Sequence, residues 1–77
     1  MKMVKMFDWS EDIQPYLNTL NAGYDLCDLE EGIGNDTAVS FWVEKSEYNS
    51  DFRNALTDYF LNHGCEQGET VYIWVCW

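Results

Sequence analysis

The stretch that most limits how this chain can fold runs from Ser50 to Gly64. Phe52, Ala55, Leu56, Tyr59 and Phe60 recur at i, i+3, i+4, i+7 and i+8, which is one apolar stripe on a 3.6-residue repeat. Both ends carry boundary signals. Ser50 or Asp51 can accept from the free amides of a first turn, and Gly64 stands where a left-handed residue ends a helix. His63 falls in the last turn, where positive charge suits the helix dipole. Arg53, Asn54, Thr57, Asp58 and Asn62 lie off the stripe and read as a wet face. A stripe this wide has to be buried, and strand-like segments lie on either side of it.

The rest of the chain sorts around that helix. Residues 2–7 predict a first strand, with Val4 and Met6 facing in and Met3, Lys5 and Phe7 facing out. Residues 10–21 predict a helix capped by Ser10 or Asp12, with Ile13, Leu17 and Leu20 buried and Tyr16 at the edge of that stripe. Pro15 is tolerated there within the first turn or so, where its missing amide is not needed, and Gly23 closes the helix. Residues 24–31 fit either of two structures. As an edge strand, Leu26 and Leu29 fall on opposite faces; as a short helical turn capped by Asp25, they fall together. The pattern of the whole chain favours the strand. Gly32 to Asp36 is a turn by composition.

Residues 37–44 predict a strand with Val39, Phe41 and Val43 on one face and Ala38, Ser40 and Trp42 on the other. Residues 70–77 predict the last strand, in which Val71, Ile73, Val75 and Trp77 alternate with Tyr72, Trp74 and Cys76. The expected order is therefore β-α-β-β-α-β. That is the ferredoxin-like pattern, a four-stranded antiparallel sheet with two helices on one face. The crossover rule puts its first and last strands side by side. If residues 24–31 are helical, the expectation becomes three strands with two or three helices.

Seventy-seven residues predict a single domain, 1–77, that buries roughly 60–65% of its unfolded surface. With 47% hydrophobic and 17% aromatic residues the chain is too apolar for a disordered acidic tail, despite a net charge of −10. It lacks the run of about 20 apolar residues that a membrane span needs. Lys2 and Lys5 are not followed by a signal-peptide pattern. Cys27, Cys65 and Cys76 are an odd, irregularly spaced set, which predicts reduced thiols, largely packed as small apolar groups, in a cytoplasmic protein. Fourteen acids against four bases argue against direct binding of nucleic acid or of anionic membranes and favour a basic partner or a cation.

Three groups of residues are candidates for function. Asp25, Asp28, Glu30, Glu31 and Asp36 place five carboxylates in twelve residues with no base among them. Such a row can stand in for the phosphates of a nucleic-acid strand before a basic groove; its spacing does not match an EF-hand. The bland alternative is an acidic loop that keeps the chain in solution. Trp42, Tyr72 and Trp74, with Phe7 beside them, form the second group, on the sheet face away from the helices. RNA-recognition modules stack bases on such a face, but the charge here has the wrong sign and the basic RNP signature is missing. The aromatics therefore point to protein binding or self-association, unless loops or the C-terminus cover them.

His63 with Cys65 is the third group. It lacks two further ligands at zinc spacing, and a base and oxyanion donor for a nucleophile. Arg53, the single arginine, sits on the polar side of a helix, so the anion site of ferredoxin-like acylphosphatases is not carried over. The expectation is a binding protein with no catalytic residues, no metal and no cofactor. Its acids would engage the basic groove of a nucleic-acid-binding protein. Acidic DNA-mimicking inhibitors that phages and mobile elements use against restriction or CRISPR systems work in this way; the analogy concerns mechanism, not sequence. The alternative is a homodimeric structural or regulatory module that associates through the aromatic sheet face.

Overall fold

Val71, Ile73 and Val75 are fully buried and alternate with half-buried Tyr72 and Trp74. A strand that buries one whole face and half-covers the other belongs in the middle of a sheet. In the computed structural model, which describes residues 5–76, this segment is β3, Thr70–Val75. Its neighbours are β1, Met6–Asp8, and β2, Thr37–Trp42, in the order β1-β3-β2. β1 runs parallel to β3, with Phe7 opposite Ile73. β2 runs antiparallel, with Val39 opposite Ile73 and Phe41 opposite Val71.

This mixed, three-stranded sheet with three helices overturns the ferredoxin-like expectation of four antiparallel strands. The fourth strand was residues 24–31, and local chemistry decides against it. Asp25 accepts from the Leu26 amide at 2.6 Å, and the Asp28 carboxylate accepts from the Asp25 amide at 2.8 Å. This reciprocal cap satisfies amides that a strand would have left to a ladder. It closes the single turn α2, Leu26–Leu29, and turns Leu26 and Leu29 together onto the core. The first and last strands are neighbours, as expected, but they are parallel.

The first helix begins earlier than residue 10. Asp8, not Ser10 or Asp12, is its cap: the Asp8 carboxylate accepts from the Glu11 amide, and Asp12 accepts from the Asp8 amide, both at 2.9 Å. A wide π-helical segment, Trp9–Ile13, leads into α1, Gln14–Thr19. Pro15 falls in the first turn of α1, as expected, where its missing amide is not needed. Here the Gln14 amide reaches the Trp9 carbonyl five residues back, which opens the spiral just before the proline. Ile13 and Leu17 are buried as expected, but Leu20 is 40% exposed, because the helix stops at Thr19 and the chain turns away through left-handed Asn21.

The helix read from residues 50–64 is α3, Asp51–Leu61. Ser50 caps it, accepting from the Arg53 amide at 3.2 Å. Phe52, Leu56, Tyr59 and Phe60 are buried. Phe60 is the hub, with ring centroids 4.8 Å from Phe7, 5.4 Å from Phe41 and 5.6 Å from Tyr59. Gly64, at φ +87°, turns the chain back so that the Cys65 amide reaches the Phe60 carbonyl at 3.0 Å. Thr57 departs from the wet face assigned to it. It is fully buried, and its hydroxyl donates to the Arg53 carbonyl at 2.9 Å. The Tyr16 hydroxyl on α1 donates to the Ala55 carbonyl at 3.1 Å and ties α1 to α3, and within the first helical segment the indole of Trp9, 5% exposed, donates to Gln14 at 3.1 Å.

The parity expected for the first strand is reversed. Phe7 packs inward on Phe60, while Met6 is 56% exposed. Parallel register with β3 sets this, because Phe7 falls level with inward Ile73 and Met6 with outward Tyr72. Val4, Met3 and Trp77 lie outside the described residues.

Candidate functional site

The acidic row divides into three kinds of carboxylate. Asp25 and Asp28 cap α2 and so have a local structural task. Glu30 and Glu31, just past that turn, are exposed. Asp36 stands one residue before β2 in a left-handed conformation, φ +57°, which a short polar side chain tolerates better than most. Among the described residues, no lysine or arginine forms an ion pair with any of the five.

The three cations among the described residues are elsewhere, and their placement is lopsided. Lys5 precedes β1, pairs with Glu69 at 3.2 Å and donates to the Gly64 carbonyl. Lys45 pairs with Asp58 at 2.8 Å. The Arg53 guanidinium lies 4.5 Å above the Phe41 ring and donates to the Trp42 carbonyl at 3.4 Å. By strand register, all three gather where β1 and β3 begin and β2 ends. Asp8, Asp36 and Cys76 mark the opposite end. There the Cys76 thiol is raised above its ordinary value, first by its hydrogen bond to Asp36, then by partial loss of water, and then by the charges of Asp36 and Asp8. Asp58 and Glu69 are the ion-paired acids among the described residues, so most of the fourteen carboxylates keep their charge uncompensated.

The aromatic group lies on one sheet face. Tyr72 stands level with Met6 and Ser40, Trp74 with Asp8 and Ala38, and Trp42 with Thr70. Trp42 is 51% exposed, Tyr72 and Trp74 are half-buried, and Ala38, Ser40 and Thr70 are exposed. Phe7 does not join them. Met6 does, and the sequence held the signal: two residues apart, Met6 and Asp8 share a face, so once Phe7 is known to be core, Met6 has to be outside.

His63 and Cys65 are not brought together as a chemical pair. The His63 ring stacks on Tyr59 with centroids 4.0 Å apart, and its Nδ1 donates to the Tyr59 carbonyl at 2.7 Å. Cys65 is buried in the core, and burial raises its thiol, with Lys5 lowering it and Glu69 raising it. Cys27 and Cys76 are exposed, so the expectation of thiols largely packed as small apolar groups holds for Cys65 alone. Among the described residues no three His, Cys, Asp or Glu side chains cluster as metal ligands, and no helix is long and apolar enough to cross a membrane.

No known protein family matches the chain, and no curated protein or solved structure is found to be similar to it.

Proposed function

We propose that this chain is a small cytoplasmic binding protein, not an enzyme, whose carboxylates imitate the phosphates of nucleic acid. Its partner is a protein with a basic nucleic-acid-binding groove, such as a restriction or CRISPR-type defence protein inhibited by a phage or mobile element. One observation carries this reading. Among the described residues, Lys5, Lys45 and Arg53 are drawn to one end of the sheet and engaged there, while Asp36, Glu30 and Glu31 are left without ion pairs. Such a one-sided field steers a basic partner and fixes its orientation. Glu30→Lys with Glu31→Lys is the clean perturbation, since neither side chain caps α2. The double variant should keep the wild-type circular dichroism and weaken partner binding at least about tenfold, in line with loss of charge-assisted contacts. Unchanged affinity would sink the proposal.

A second reading rests on the exposure of Met6 and Trp42 beside Tyr72 and Trp74. On it, two copies associate through this face and the charge serves to prevent aggregation. Trp42→Ala or Trp74→Ala would then yield monomers. A wild-type chain that is monomeric at high concentration removes it.

A further inference from the structure

We propose that the outer edge of β2 is a docking rail that takes an extended, basic segment of the partner as a fourth strand. The Val43 amide bonds to the Glu69 carbonyl at 2.8 Å and so continues the β2–β3 ladder. By antiparallel alternation, Phe41, Val39 and Thr37 exchange their bonds with β3, and Ala38, Ser40 and Trp42 turn their N–H and C=O groups to the free edge. The Arg53 side chain covers the Trp42 carbonyl. Among the described residues nothing covers those of Ala38 and Ser40. Free edges are ordinarily guarded by charge, proline, a bulge or shortness. β1 is short, at three residues. β2 has six residues and, beyond Arg53 at its far end, none of these guards, in a chain that is 23% charged.

Charge selects the occupant. Asp36 adjoins the open end of the rail, Glu30 and Glu31 lie just before it in the chain, and Glu44 follows the far end. A second copy carries the same net charge of −10, and the repulsion between two such chains opposes a symmetric dimer. A strand carrying lysines or arginines at the Asp36 end meets both requirements: backbone bonds supply affinity and charge supplies register. This inference rests on the basic-partner reading and adds the mode of engagement to it.

The test uses the full ¹⁵N-labelled chain and a blocked octapeptide of alternating lysine and valine. Its twin is N-methylated at every backbone amide, so charge is kept and strand pairing is lost. The plain peptide should shift the Ala38 and Ser40 amide resonances and slow their exchange. The twin should bind about tenfold more weakly, as loss of a few net hydrogen bonds implies. Ser40→Pro removes an outward N–H at an edge where proline is tolerated, and should lose peptide binding with the fold intact. Equal binding of both peptides overturns the rail while leaving charge-driven binding standing. Failure of both peptides to bind overturns the rail, and together with failure of the charge-reversal experiment above it removes the basic-partner reading as well. Ala38 and Ser40 shifts that grow with protein concentration alone would assign the edge to a second copy and overturn the basic occupant. If Ser40→Pro does not fold, the comparison of the two peptides still decides.

Discussion

Phe60→Ala is the sharpest test of how this core is built. The ring is fully buried on α3 and touches Phe7 on β1 and Phe41 on β2, so one side chain clamps both outer strands to the helix. Truncating a buried phenylalanine costs about 3–5 kcal/mol, the lost transfer energy plus the cavity. A chain of this length has a total stability of roughly 4–12 kcal/mol on the usual per-residue scale. The variant should therefore lose roughly a quarter or more of its stability, a fall in Tm of roughly 12–40 °C at about 4–8 °C per kcal/mol. Urea unfolding followed by tryptophan fluorescence reads this directly, with buried Trp9 as a reporter. The midpoint should fall with little change in slope. Tyr48→Ala is the control: at 90% exposure it should stay within about 0.5 kcal/mol of wild type. A Phe60→Ala midpoint close to that control would mean that α3 is not seated across both strands, and the reasoning would be wrong.

Three further outcomes follow from the same geometry. Asp8→Ala should cost about 1 kcal/mol by urea unfolding and Asp8→Asn much less, because asparagine can still accept from the Glu11 amide; equal losses would refute the cap. A thiol reagent should titrate Cys27 and Cys76 in the folded chain and buried Cys65 on unfolding or local opening; three equally fast thiols would contradict the packing. At mildly alkaline pH, Cys76 should alkylate more slowly than a free cysteine, since its raised pKa leaves less thiolate. Asp36→Asn should speed that reaction by removing the charge, and the difference should close as pH rises through the folded pKa; an unchanged rate would show that Asp36 does not hold the thiol.

The legible parts of this fold are those set by one element's own pattern. The stripe on α3, the alternation of β2 and β3 and the outward aromatics need no partner to be read, because period and side-chain parity belong to the segment itself. What was misread depends on neighbours. The parity of β1 came out reversed because three residues carry too little alternation, and their facing is imposed by register with β3. Residues 24–31 became a helical turn because two aspartates three apart cap each other's amides, a local bond that outweighed the fold-level preference for a fourth strand. Pro15 stands in the first turn of α1, as read, but the wide segment before it, capped at Asp8, has no signal in the period of the apolar residues. Thr57 looked polar and proved buried, since a hydroxyl that donates within its own helix turn can leave water. Of the acidic row, the sequence shows the charge but not its division of labour, with Asp25 and Asp28 committed to a cap, Asp36 beside the Cys76 thiol, and Glu30 and Glu31 exposed.

The most direct measurement is retention of basic nucleic-acid-binding proteins on the immobilised chain, eluted first with rising salt and then, in a parallel run, with duplex DNA at low salt. Charge imitation requires a nucleic-acid-binding partner that salt releases steeply and that duplex DNA displaces, since both occupy one groove. Recovery of the chain's own copies alone, held against salt and indifferent to DNA, would contradict it and leave the aromatic sheet face as the surface that works.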